Sequence, residues 1–82
     1  MTDDTFKAAL TEELERIAPE IVFDAVDPTT DIREAFEIDS MDFQNLVSAL
    51  AARFSLPIPE ADYDQLGTID AIIVYLRRET QK

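Results

Sequence analysis

The chain has 82 residues, 46% of them hydrophobic and 30% charged, a composition that suits one small folded domain and neither disorder nor membrane spanning. Eighteen acidic residues against seven basic ones give a formal charge of −11, which disfavours binding to nucleic acid or anionic lipid and favours partner proteins with basic patches. The sequence contains no cysteine and no histidine, which excludes disulfides, thiolate or imidazole catalysis and the commonest metal ligands.

The start of the chain, Met-Thr-Asp-Asp-Thr-Phe-Lys, does not resemble a secretory signal, because no basic segment precedes an apolar one. We therefore expect a cytoplasmic protein without stable membrane insertion. No internal repeat or low-complexity linker divides the sequence, so residues 1–82 are predicted to form a single domain, which we expect to be monomeric.

Residues 4–18 are predicted to form the first helix, because apolar residues recur there at helical spacing. Pro19 ends the predicted helix. The buried face is predicted to consist of Phe6, Leu10, Leu14 and Ile17. The acids elsewhere on the segment are predicted to lie on solvated faces, namely Glu12, Glu13 and Glu15.

A long connecting loop is predicted between Pro19 and Asp39, because no hydrophobic period is sustained there. Its apolar residues are expected to attach it to the core: Ile21, Val22, Phe23, Val26, Ile32, Phe36 and Ile38. The aspartates of this loop do not match the ligand spacing of an EF-hand and lack its central glycine, so no metal site is predicted at Asp24, Asp27 and Asp31.

The second long helix is predicted over residues 40–54, where an apolar stripe recurs at helical spacing: Phe43, Leu46, Val47, Leu50 and Phe54. A short third helix is predicted at Glu60 to Leu66. Thr68 is a plausible cap for a last helix that continues to about residue 78, with an apolar face of Ile69, Ile72, Ile73 and Leu76. The predicted fold is all-α, a small bundle of three longer helices and one short one, with a long loop between the first and second helices.

Ser40 stands at the predicted start of the second long helix, directly after Asp39. A serine at that position suits two roles, because the free N–H groups of a helix start can donate to a capping side chain and can also donate to a phosphate ester. A serine nucleophile would need a base, and the chain offers no histidine and lysines only near its termini. Ser40 is therefore predicted to be a substrate for modification and not a catalyst, and the protein is predicted not to be an enzyme.

The run from Ile32 to Asp42, Ile-Arg-Glu-Ala-Phe-Glu-Ile-Asp-Ser-Met-Asp, resembles the attachment region of acyl carrier proteins. The resemblance covers essentially the whole chain. It includes the Asp-Ser-Met motif, the apolar helix that begins there, Phe54 before a short linker, Ile58-Pro59 before the short third helix, and Thr68-Ile69 at the opening of the last helix. The order and spacing of these features carry the resemblance.

The resemblance implies that Ser40 carries 4′-phosphopantetheine, transferred from coenzyme A, whose terminal thiol holds an acyl group as a thioester. It implies as partners a phosphopantetheinyl transferase, which would read the flanking Asp39 and Met41, and acyl-loading ligase or synthase enzymes of fatty-acid, lipid or polyketide-type biosynthesis. The acidic rim and Met41 are expected to contact basic patches on those enzymes, through Glu37, Met41 and Asp42. Met41 has two readings, a partner contact or a core residue, and contact is favoured because the Phe43 stripe already defines the buried face.

The sequence departs from the family at two places. Glu37 stands where family members commonly have glycine, and the exposed side of the second long helix offers few acids, with Asn45, Ala49, Ala52 and Arg53. A specialised freestanding carrier is therefore expected. Two alternatives remain open, an aminoacyl or peptidyl carrier and an unmodified acidic helical interaction module in which Ser40 is only a cap.

Overall fold

The computed structural model describes residues 2–81 and shows a helical bundle. The helices are α1 (Asp3–Ile17), α2 (Ile32–Ala35), α3 (Ser40–Arg53) and α4 (Ile69–Thr80), with 3₁₀ helices at Phe23–Ala25 and Glu60–Leu66. Extended structure among the described residues is limited to one isolated bridge between Asp31 and Thr68. Every helix within residues 2–81 is too short or too polar to cross a lipid bilayer. The predicted all-α bundle is confirmed.

The core lies where α1 meets α3 and α4. The predicted apolar stripes supply most of it, including the fully buried Phe6, Leu10, Leu46, Leu50, Ile72 and Leu76. Phe54 packs edge to face against Phe6, with ring centroids 5.2 Å apart. Two details of α4 differ from the prediction, because Ile73 is only half-buried whereas Tyr75, which the apolar pattern did not include, is 2% exposed.

The predicted loop between α1 and α3 contains more structure than the sequence indicated. Two short helices lie within it, and Phe23, Ile32, Phe36 and Ile38 are buried as expected. The prediction for Val22 is wrong, since its side chain is 66% exposed. The next residue, Phe23, takes the inward position where the 3₁₀ turn begins, which leaves Val22 outside.

An ionic cluster joins α1 to α3 and corrects the prediction that the acids of α1 are all solvated. Glu13 is only 8% exposed, and it pairs with Arg53 at 3.3 Å and with Arg16 at 3.5 Å. Arg53 also pairs with Glu12 at 2.6 Å, and this hydrogen bond raises the pKa of the Arg53 guanidinium. Glu13 tolerates burial because two cations neutralise it. Arg53 is therefore engaged within the protein and is not a free cation for partners.

Candidate functional site

The N-cap residue of α3 is Asp39 and not Ser40. Asp39 has an extended backbone, and its carboxylate accepts a hydrogen bond from the N–H of Asp42 at 2.8 Å. This is the geometry of an N-cap, in which the side chain just outside the helix satisfies one of its free donors. Of the two roles that the sequence left open for Ser40, capping is thus performed by its neighbour.

Ser40 is the first residue inside α3, and it is exposed. Its hydroxyl finds no hydrogen-bond partner among residues 2–81, and neither do the N–H groups of Ser40 and Met41. A phosphate ester on the hydroxyl would therefore meet unpaired donors and the positive end of the helix dipole. The local geometry suits a covalent phosphodiester.

The segment that leads into α3 is fixed by a turn at the end of α2. Ile38 N–H donates to the carbonyl of Arg33 at 3.1 Å, and Glu37 N–H donates to Glu34 at 3.3 Å. This pair of bonds is a Schellman motif, and it places Glu37 in the left-handed region with φ of 53°. The buried Ile38 and Phe36 then anchor the turn in the core. The position of Glu37 is thus one that favours glycine sterically.

The predicted partner-contact residues flank Ser40 in the sequence without sharing one environment. Met41 is 70% exposed, so the predicted contact role has an accessible side chain and the core alternative is excluded. Glu37 is exposed, while Asp42 is half-buried, and both line a groove that also includes Ile17, Pro19 and Ile38.

A second groove reaches Ser40 between α2, α3 and the Glu60–Leu66 helix. Its volume is about 310 Å³, and its walls consist of Arg33, Ser40, Phe43, Gln44, Glu60, Tyr63 and Asp64. Phe43 and Tyr63 meet edge to face with ring centroids 5.9 Å apart. The sequence reasoning did not single out Arg33 or Tyr63. The sequence did offer a signal for Arg33, because it is the one basic residue in the acidic segment that precedes Ser40.

Two of the three aspartates considered as metal ligands in the loop between α1 and α3, Asp27 and Asp31, accept local hydrogen bonds. Asp27 accepts from the hydroxyl and the N–H of Thr29 at 2.7 and 2.8 Å, and these bonds lower the pKa of Asp27. Asp31 accepts from the N–H groups of Arg33 and Glu34 and so begins α2. Within residues 2–81, no group of three side chains is arranged to hold a metal ion.

Comparison with known proteins shows similarity over almost the whole chain. The model of the family described as "Phosphopantetheine attachment site" matches residues 4–76. The chain is 31% identical over 75 residues to an acyl carrier protein of Helicobacter hepaticus, an alignment that covers 92% of each protein. It is 33% identical over 75 residues to an acyl carrier protein of Campylobacter jejuni, covering 92% of this chain and 91% of the relative.

Proposed function

Because this chain belongs to the acyl carrier protein family, whose members carry covalent 4′-phosphopantetheine, we propose that Ser40 is the attachment residue and that the protein delivers acyl groups to partner enzymes. The arm, when bound, supplies the thiol that holds the acyl group as a thioester. We propose that the protein itself catalyses no reaction and that it serves fatty-acid, lipid or polyketide-type biosynthesis. The exposed side of α3 offers few acids, which is a departure from the family, and this supports a role in a specialised pathway.

One observation carries the assignment of Ser40. Its hydroxyl is exposed and unpartnered at a helix start whose capping position is already filled by Asp39. Ser48 lies exposed in the middle of the same helix, where the N–H groups are used by helical hydrogen bonds, and it lacks the preceding aspartate. The serine that combines access with free backbone donors is Ser40.

Each residue around Ser40 has a distinct part in this proposal. Asp39 fixes the start of the helix, and Ser40 follows it as an exposed residue. The N–H groups of Ser40 and Met41 are placed to donate to the phosphodiester. The exposed Met41 offers an apolar contact, and the exposed Glu37 and half-buried Asp42 add acidic groups near it, which suits transferases, loading ligases and synthases that carry basic patches.

The two alternative functions differ in what they require of Ser40. An unmodified interaction module was reasonable if Ser40 capped α3, and the cap at Asp39 leaves that hypothesis without a role for the serine. An aminoacyl or peptidyl carrier would use the same site and differs only in cargo. It remains the second candidate, supported by the carboxylates of Glu60 and Asp64 in the groove beside Ser40, which favour a cationic cargo over an anionic one.

The test is an intact-mass measurement after incubation with coenzyme A and a broad-specificity phosphopantetheinyl transferase. The unaltered chain should gain one arm, Ser40→Ala should gain none, and Ser48→Ala and Ser55→Ala should match the unaltered chain. Because Ser40 forms no cap, Ser40→Ala should change the free energy of unfolding by less than about 0.5 kcal/mol. Modification that persists in Ser40→Ala would refute the site assignment.

A further inference from the structure

Arg33 differs from the other arginines of the chain because it has no acidic partner among residues 2–81. The other four, Arg16, Arg53, Arg77 and Arg78, each form a salt bridge with a carboxylate of the same chain. Among residues 2–81 no carboxylate lies within salt-bridge distance of Arg33, although the chain carries a formal charge of −11. An unpaired guanidinium on so acidic a protein is available for an anion from outside the polypeptide.

The backbone and the guanidinium of Arg33 are both held in place. Its N–H donates to Asp31 at 2.9 Å, and its carbonyl accepts from Ile38 at 3.1 Å. Its guanidinium carbon lies 5.2 Å from the centroid of the Phe43 ring, within the range of a cation–π contact. Phe43 in turn packs edge to face with Tyr63. Stacking on a ring leaves the N–H edge of a guanidinium free for hydrogen bonding.

Arg33 and Ser40 line the same groove, and Arg33 is the one cationic side chain among the described residues that line it. The carboxylates of Glu60 and Asp64 also line the groove, from the Glu60–Leu66 helix. An anion in this groove is therefore favoured beside Arg33 and disfavoured beside the Glu60–Leu66 helix. A group bonded to the Ser40 oxygen enters the groove from the Ser40 side.

We propose that Arg33 binds the phosphodiester of the arm on Ser40 and thereby directs the arm into the groove over Phe43 and Tyr63. Arginine suits this role because its planar fork of donors matches phosphate oxygens. The inference rests on the proposed function, since it requires the arm on Ser40. Arg33 acts here as a positioning residue. Glu60 and Asp64 would at the same time select against cargo that carries a carboxylate into this groove.

The experiment compares apo and fully holo protein by nuclear magnetic resonance, after intact mass has established complete modification. The readouts are the Arg33 side-chain N–H resonance, the ring resonances of Phe43 and Tyr63, and the ³¹P line width of the phosphodiester. The variant is Arg33→Gln. The matched control is Arg77→Gln, which removes an equal charge from the Arg77–Asp3 pair on α4 and α1.

Modification should shift the Arg33 and ring resonances of the unaltered chain. Arg33→Gln should lower the ratio of groove-bound to free arm by about 1.5- to 5-fold, the range expected for losing an exposed ion pair, and the ring shifts and the ³¹P broadening should fall with the bound fraction. Arg77→Gln should behave like the unaltered chain. High salt should reproduce the effect of Arg33→Gln.

Three outcomes would overturn the proposal. An unchanged Arg33 resonance in fully holo unaltered protein, which needs no variant, would remove it while leaving Ser40 as the attachment site. A response to a malonyl-loaded arm but not to an acetyl-loaded or free arm would reassign Arg33 to a cargo carboxylate. Failure of the arm to attach at all would overturn the proposed function together with this inference.

Discussion

Helices α3 and α4 begin with the same capping geometry but differ in the residue that follows the cap. Asp39 accepts from the N–H of Asp42 at 2.8 Å, and Thr68 accepts from the N–H of Ala71 at 3.0 Å. The first residue of α3 is the exposed Ser40, whereas the first residue of α4 is Ile69, which is 2% exposed. A cap fixes where a helix begins, and it leaves the next side chain free to serve the core or the solvent.

The surroundings of the two starts explain this difference. The start of α4 is covered by the loop before α2, because Asp70 N–H donates to Pro28 at 3.1 Å and Gly67 accepts from Ile32 at 2.8 Å. No such cover lies over the N–H groups of Ser40 and Met41 among the described residues. The tertiary structure leaves the start of α3 open, which is what the attachment site proposed at Ser40 requires.

The largest effect is expected from placing a serine at the first position of α4, where α3 has Ser40. Ile69→Ser should lower the free energy of unfolding by about 3 kcal/mol, because it removes a buried side chain and places a hydroxyl in the core. Urea denaturation measures this loss, with Ser40→Ala as the nearly neutral counterpart. The new serine should receive no phosphopantetheine. A loss below about 1 kcal/mol would mean that the start of α4 is not packed as described.

The hydrogen bond between α4 and the Glu60–Leu66 helix provides a second test, in which stability is measured as a function of pH. Tyr75 donates to Asp62 at 2.7 Å, and burial, followed by that hydrogen bond, raises the pKa of Tyr75 to about 12 from its ordinary value of 10. The folded state therefore holds this proton more tightly than the unfolded state. The resulting stability is present below pH 10 and is lost as the pH rises to about 12.

Thermal unfolding between pH 9 and pH 12 should show this loss in the unaltered chain. Tyr75→Phe should be less stable at neutral pH by about 1 kcal/mol, because the hydrogen bond is missing, and its alkaline decline should be shallower. Equal alkaline profiles for the two proteins would contradict the assignment of the decline to Tyr75.

The N-caps of α3 and α4 should contribute equally to the free energy of unfolding. Asp39→Ala and Thr68→Ala should each lower the free energy of unfolding by about 1 kcal/mol, since each leaves one helix donor without its partner. Asp39→Asn should retain most of the stability, because an amide oxygen also accepts. Chemical denaturation of these variants, of Ser40→Ala and of the unaltered chain measures this. If Ser40→Ala cost as much as Asp39→Ala, the cap would have been misassigned.

The smallest effect is expected at the C-terminal ends of α2 and α3, each of which ends in its own Schellman turn. Glu37 and Ser55 have φ of 53° and 50°, and Leu56 N–H donates to Ala51 as Ile38 does to Arg33. Replacing either residue with glycine should raise the free energy of unfolding by about 0.5–1 kcal/mol, because the side chain no longer opposes the left-handed backbone.

Two controls isolate the cause of that gain. Glu37→Gln removes the charge and keeps the strain, so it should give less than half of the gain, and Ser48→Gly within α3 should lower the stability by about 1 kcal/mol. A loss of stability in both Glu37→Gly and Ser55→Gly would contradict the strain argument.

The sequence by itself determined the long helices, the core stripes and the attachment motif. Helical spacing identified α1, α3 and α4, and the Asp39-Ser40-Met41 run stood out because few residue types suit a helix start. The sequence could also place Met41 outside, since the buried face of α3 was already defined by the Phe43 stripe.

Only the tertiary structure decided which polar residues meet. Glu13 is buried because Arg53, forty residues further along the chain, reaches it from α3, and no local pattern encodes such a pairing. The left-handed backbone at Glu37 follows from closing α2 against the buried Ile38. The contact of the Arg33 guanidinium with the Phe43 ring also depends on tertiary structure. Contacts between residues of different helices depend on how the helices pack and not on the spacing of residues within any one helix.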